Sequence, residues 1–161
     1  LIWHKGHGAL RQMADFAATE SAGVIAVEEV PREQTHRYGI VDAAKVGDRA
    51  ALIKHVVEKP QPDVAPSNLA IVGRYVLPGR IFALLEQTRP GAGGEIQLTD
   101  AIAALLSAQK TYAFRFDGTR FDCGSKPGLV KATLHFALQD PELASATREF
   151  IRDYGLGAGD A

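Results

Sequence analysis

Apolar residues at Leu10, Met13, Ala14 and Ala17 recur at helical spacing and predict an amphipathic helix from Ala9 to about Glu20, closed by the small residues Ser21, Ala22 and Gly23. Val24-Ile25-Ala26-Val27 then runs apolar without alternation, the pattern of a central strand covered on both faces. Helix followed by buried strand favours an α/β layer architecture. Pro31 to Arg37 is polar and reads as a loop, and β character resumes at Tyr38-Gly39-Ile40-Val41. Val46-Gly47-Asp48 marks a turn, after which Ala51 to Glu58 predicts a strand that must stop at Lys59-Pro60, because proline lacks the donor a central strand needs. Ala70 to Leu77 is apolar on both alternating faces and predicts a core strand in which Arg74 needs a partner or an exit to solvent.

Ile81, Leu84 and Leu85 predict a short helix, and Gly91 to Gly94 breaks the chain before Leu98, Ile102, Leu105 and Leu106 define another. Thr111 to Phe116 predicts a strand, and Asp117-Gly118 predicts a hairpin turn into Arg120-Phe121-Asp122. Two helices close the chain from about residue 126. The first carries Leu129, Thr133, Phe136 and Ala137 on one face, and the second runs from Glu142 to Tyr154 before a Gly-rich tail. No repeat or second core interrupts residues 1–161, so one domain is expected.

Composition narrows the function. The 161 residues are 46% hydrophobic and 23% charged, as in one globular domain or a large piece of one. With 18 Lys plus Arg against 19 Asp plus Glu, the formal charge of -1 leaves no basic field for nucleic acid, so any phosphate site must be local. No apolar run approaches the roughly 20 residues of a membrane span. Leu1-Ile2-Trp3-His4-Lys5 is too short and polar for a signal peptide, so a cytoplasmic protein with no membrane partner is expected. The single Cys123 excludes an internal disulfide. A first residue of Leu leads to the expectation that the chain is the remainder of something longer.

Three local features carry candidate chemistry. Glu58-Lys59 sits at a strand end, where α/β sheets bind ligands, and a lysine there can meet a phosphate; a solvated charged pair is the alternative. Asp122, between a strand and a helix, can offer oxygen to a hard cation such as Mg²⁺ or can serve as a helix N-cap. Gly39 beside Tyr38 can expose backbone groups to a ligand or simply allow a turn. His4, His7, His36, His55 and His135 share no metal-ligand spacing, and the Gly91 to Gly94 spacing fits no phosphate cradle, which leaves a mobile loop serving the next helix.

Five words occur in order: His36-Arg37-Tyr38-Gly39-Ile40-Val41-Asp42, Val56-Val57-Glu58-Lys59-Pro60, residues 65–77 (APSNLAIVGRYVL), residues 90–102 (PGAGGEIQLTDAI) and residues 121–126 (FDCGSK). Together they closely resemble the bacterial UTP:glucose-1-phosphate uridylyltransferases, also called UDP-glucose pyrophosphorylases, from about Leu10 to Tyr154. The resemblance implies an α/β, Rossmann-like nucleotide-diphospho-sugar transferase fold, a mixed sheet flanked by helices, with its N-terminal part missing. This chain would be the C-terminal, sugar-phosphate-binding portion of a single domain.

The implied reaction joins UTP and glucose 1-phosphate to give UDP-glucose and pyrophosphate with Mg²⁺, in a full-length protein that is a homo-oligomer. By that resemblance Lys59 contacts the sugar phosphate, Glu58 accepts hydrogen bonds from glucose hydroxyls, Tyr38 and Gly39 wall the sugar, Ile71 and Val72 complete its pocket, and Asp122 is one Mg²⁺ ligand. The family's Gly-rich triphosphate loop, its uracil-reading segment and its other metal-binding Asp are not in this sequence, so the chain alone is expected to be inactive. An unpaired sheet edge with exposed apolar surface is expected as well. A non-catalytic sugar-phosphate binding module, or a purely structural piece, is the alternative.

Overall fold

The computed structural model describes residues 1–91 and 94–155. Ala92 and Gly93 of the expected loop, and the Gly-rich tail from 156, lie outside the described residues. The elements in order are β1 (Ile2–Trp3), α1 (Ala9–Glu20), β2 (Gly23–Glu29), a 3-10 helix (Arg32–Arg37), β3 (Gly39–Lys45), β4 (Ala50–Glu58), β5 (Leu69–Val76), α2 (Ile81–Gln87), α3 (Leu98–Leu106), β6 (Thr111–Phe114), β7 (Thr119–Arg120), α4 (Lys126–Gln139) and α5 (Ala144–Asp153). Two compact units result, Gly6–Asp117 and a second made of Leu1–Lys5 with the chain from Gly118 onward. Among the described residues, no helix is long and apolar enough to cross a membrane.

The larger unit is built around β2. Its left neighbour β5 is antiparallel and its right neighbour β6 parallel, so the sheet is mixed. Both faces of β2 are covered, as the unbroken apolar run requires. Val24 and Ala26 pack with Met13 and Ala17 of α1, whereas Ile25 and Val27 join Val41, Ile53, Val56, Ile71, Ile102 and Leu105 in the main cluster. Helix α1 stops at Ser21, which takes a left-handed φ of 49° while its N–H donates to the Ala17 carbonyl. The residues expected to form a loop at Arg32–Arg37 instead form a 3-10 turn around the fully buried Thr35, whose hydroxyl donates to the carbonyls of Arg32 (2.9 Å) and Pro60 (3.3 Å).

Among the described residues, the five-stranded sheet of the larger unit does not show the expected unpaired edge. The five strands close in the order β2-β5-β3-β4-β6, with β4 returning to β6 through the pairs Ala50–Phe114, Ala51–Ala113 and Leu52–Tyr112. Closure spends the edges on one another. It also removes the expected hairpin at Asp117-Gly118: both sides of β6 are occupied by β2 and β4, and β7 pairs instead with β1 through Ile2–Arg120 and Trp3–Thr119.

In the smaller unit, α4 begins where Ser125 accepts a hydrogen bond from the Gly128 N–H (3.1 Å) and Pro127 fits the first turn. The N-cap is therefore Ser125 and not Asp122. Its buried stripe is also not the predicted one: Ala132 is the buried residue, with Gly128 and His135 half-buried on the same face, whereas Leu129 and Phe136 are exposed. His135 stacks among Trp3, Phe121 and Phe136, which selects the face that carries it. Helix α5 buries none of its residues.

Gly128 lets α4 sit directly on the preceding loop: a Cβ there would fall 1.9 Å from the Asp122 carbonyl oxygen. Gly128→Ala is therefore expected to destabilise the smaller unit by about 2 kcal/mol or more, as overpacking against backbone does. Amide hydrogen exchange over α4 checks this, and unchanged protection in the variant contradicts the close approach.

Candidate functional site

The sites predicted on β3 and β4 meet because those strands pair antiparallel, which sets Gly39 opposite Glu58. Tyr38 precedes β3 and Lys59 follows β4. The Lys59 N–H donates to the Tyr38 carbonyl at 3.0 Å, so the pairing extends one step past the strand ends. Lys59 then turns away with a left-handed φ of 46°, a conformation that costs a residue with a Cβ about 1–2 kcal/mol. Pro60 ends the ladder, and its carbonyl is held by the buried Thr35. A lysine placed in strained backbone at a strand end is a better candidate for function than a lysine on a relaxed surface.

Tyr38, Gly39, Glu58 and Ile71 line one cavity of about 260 Å³, together with Arg37, Gly73, Tyr75, Gln97, Leu98 and Thr99. Its floor is tight at Gly39. A Cβ at that position would lie 3.2 Å from Glu58 Oε2, 3.2 Å from Ile71 Cδ1 and 3.5 Å from Thr99 Oγ1, so a side chain there would press on the carboxylate. Glu58 is the polar centre of the cavity. Thr99 donates its hydroxyl hydrogen to Oε2 at 2.6 Å, and the Lys59 ammonium stands 3.6 Å from Oε1. With the Lys59 side chain 59% exposed, that ion pair is worth about 0–1 kcal/mol and is readily exchanged for another anion. Burial, and then the charge of Glu58, push the Tyr75 phenol above its ordinary value of 10.0, so Tyr75 presents a neutral hydroxyl to the cavity.

Val72 is set apart from these residues. The alternation of β5 sends Ile71 into the main cluster and Val72 to the other face, where it packs with the α1 cluster around Met13 and Ala17. It does not line the cavity. A second cavity, of about 210 Å³, holds none of the predicted residues, and its Arg115 is paired with Glu29 at 3.0 Å.

Asp122 belongs to the smaller unit. Its Oδ1 accepts from the Gly124 N–H (3.2 Å), and its carbonyl accepts from the Ser125 N–H (3.2 Å) and hydroxyl (3.0 Å), which fixes the carboxylate on a short turn between β7 and α4. Among the described residues, no three His, Cys, Asp or Glu side chains gather into a metal cage. One turn-held carboxylate suits a hard cation whose remaining ligands are phosphate oxygens and water, the usual Mg²⁺ arrangement.

Sequence reasoning missed Thr99, Gln97 and Tyr75 at the cavity. Thr99 lies within residues 90–102, one of the five words, but its hydroxyl reaches Glu58 across 41 positions, a link with no periodicity to reveal it.

The sequence profile of the nucleotidyl transferase family matches residues 3–139. The UTP–glucose-1-phosphate uridylyltransferase of Staphylococcus epidermidis is 49% identical over 149 residues, covering 92% of this chain and 51% of that protein. A UDP-glucose pyrophosphorylase solved in complex with UDP-glucose superposes with a TM-score of 0.82 at 35% identity, over 87% of this chain and 54% of the other. The UTP-bound UGPase of Acinetobacter baumannii gives 0.82 at 42% identity, over 94% and 52%. The chain thus spans about half the length of the relatives it matches. With the mixed sheet flanked by helices and the profile running from β1 to the end of α4, the chain belongs to the nucleotidyl transferase family.

Proposed function

We propose that this chain is the sugar-phosphate-binding, C-terminal portion of a single-domain cytoplasmic UTP:glucose-1-phosphate uridylyltransferase. The observation that carries the reading is the convergence of Tyr38, Gly39, Glu58 and Ile71, from three separate stretches of sequence, on one cavity with the Lys59 ammonium beside its carboxylate. Acceptor and cation side by side suit a sugar bearing hydroxyls at one end and a phosphate at the other. The names of the relatives described above support the same substrates.

In the proposed reaction a phosphate oxygen of glucose 1-phosphate attacks the α-phosphorus of UTP. A new P–O bond forms as the α–β anhydride breaks, pyrophosphate leaves, and UDP-glucose results. No covalent enzyme intermediate is needed, so the protein's task is neutralisation and in-line positioning. Lys59 neutralises the sugar phosphate and exchanges its weak pairing with Glu58 for that anion. Glu58 accepts hydrogen bonds from glucose hydroxyls, and the backbone at Gly39 approaches the sugar because no Cβ intervenes. Tyr38 and Ile71 wall the ring; Val72, on the far face of β5, supports the wall from behind. Asp122 would hold Mg²⁺ as one of its ligands, and the ion would supply charge neutralisation for the phosphates. Assembly into a homo-oligomer belongs to the same reading, supported by the exposed Leu129, Val130 and Phe150 of the C-terminal helices and the exposed Tyr154 that follows them.

In the full-length protein, Lys59→Ala and Asp122→Ala are each expected to lower turnover of UTP and glucose 1-phosphate by about 100-fold, since preorganised charge is worth several kcal/mol in transferring phosphates. Near-normal kinetics of either variant would remove its role. Binding of glucose 1-phosphate with no turnover would identify a binding module instead. The 161-residue chain made alone is expected to release no pyrophosphate from these substrates above background, and a robust rate contradicts that division of labour. Lys59→Gly separates backbone from charge: relief of the left-handed strain should raise stability by about 1 kcal/mol in a denaturant titration while activity falls as in Lys59→Ala. A destabilised Lys59→Gly protein would show that the strain argument is wrong.

A further inference from the structure

We propose that Thr99 is a positioning residue that holds Glu58 away from Lys59, so that one carboxylate oxygen faces the sugar and the ammonium stays exchangeable for the sugar phosphate. This inference rests on the uridylyltransferase reading above and assigns a role to a residue outside its list of substrate contacts.

The Thr99 hydroxyl is spent in an unusual direction for this chain. Thr19, Thr88 and Thr133 each donate to the backbone carbonyl four residues earlier, at 2.8 to 3.0 Å, the usual local bond of a helical threonine. Thr99 lies in the first turn of α3, where no helical carbonyl precedes it, and it donates instead to Glu58 Oε2 at 2.6 Å. Thr99 is buried, at 9% exposure, and does not cap its own helix, whose N-cap Gln97 makes no side-chain cap bond. A short, partly buried bond to a carboxylate is strong enough to select one rotamer of a flexible side chain.

The surroundings complete the hold. Glu58 Oε2, Ile71 Cδ1 and Thr99 Oγ1 all lie within 3.2 to 3.5 Å of the point a Gly39 Cβ would occupy, so only a glycine leaves the bonded carboxylate and hydroxyl undisturbed there. Oε2 is therefore committed to Thr99. Oε1 remains, 3.6 Å from the Lys59 ammonium, beyond ordinary hydrogen-bond length. Without the hydroxyl, the carboxylate is released to close that gap. A direct Glu58–Lys59 pair would then compete with both the sugar hydroxyls and the sugar phosphate, the two things the site must bind.

The test uses the full-length protein and steady-state kinetics with UTP and glucose 1-phosphate. Thr99→Val, nearly isosteric, is expected to raise KM for glucose 1-phosphate by about 10-fold while KM for UTP stays within about 2-fold, the loss expected of one hydrogen bond to a charged group. Thr99→Ser restores the hydroxyl and is expected to return KM to within about 2-fold of the original. In a Glu58→Gln background Thr99→Val should add less than about 2-fold, because its effect passes through that carboxylate. Should Thr99→Val fail to fold, Thr99→Ala against Thr99→Ser makes the same comparison. An unchanged KM for glucose 1-phosphate, an equal rise in both KM values, or full additivity with Glu58→Gln overturns the proposal while leaving the uridylyltransferase reading intact. An unmutated protein that turns over neither substrate overturns both.

Discussion

The candidate site depends on one requirement, that a carboxylate drawn partly into the protein be held by a donor. Glu58 ends β4 with its side chain 28% exposed, too enclosed to be solvated as a surface glutamate is. Its bond to Thr99 meets that requirement and at the same time ties the end of β4 to the start of α3, the helix that packs on that strand. Gly39 opposite, lacking a Cβ, leaves the carboxylate room. Lys59 emerges from the next residue with its backbone bent into the left-handed region. Strand pairing, helix docking and charge placement thus meet at a single side chain, and disturbance of any one reaches the others.

Much of this was legible in the sequence, for physical reasons that differ between elements. Helix α1 matched its predicted span because its apolar spacing and small terminal residues point the same way. Strand β2 was readable because a strand covered on both faces leaves an unbroken apolar run. The position of Lys59 followed from Pro60, which no ladder can pass. Glu58 and Lys59 were visible only as an adjacent pair; the five sequence words marked that pair as a candidate for a sugar phosphate, and the β3–β4 pairing brings Gly39 to face Glu58.

What escaped was decided over distance. The Asp117-Gly118 turn looked like a hairpin because turn chemistry is local, but whether the next strand pairs backward depends on whether the previous one has a free side, and β6 has none. The buried face of α4 was misread for a similar reason. Its apolar residues suggest Leu129 and Phe136, but an aromatic group from Trp3 and Phe121 selects His135. Val72 and Ile71 are neighbours in sequence and were grouped together, although the pleat sends them to opposite faces. The sheet edge expected to be bare is consumed by closure, which no local pattern announces.

Closure also sets an order in time. β2 has no partner on either side until β5 has been synthesised, and its second neighbour arrives only with Thr111, which pairs with Gly23. Strand β2, whose first five residues are buried, therefore lacks its second neighbour for most of that unit's synthesis, and long-range pairings of this kind are slow to form and leave apolar surface exposed until they do.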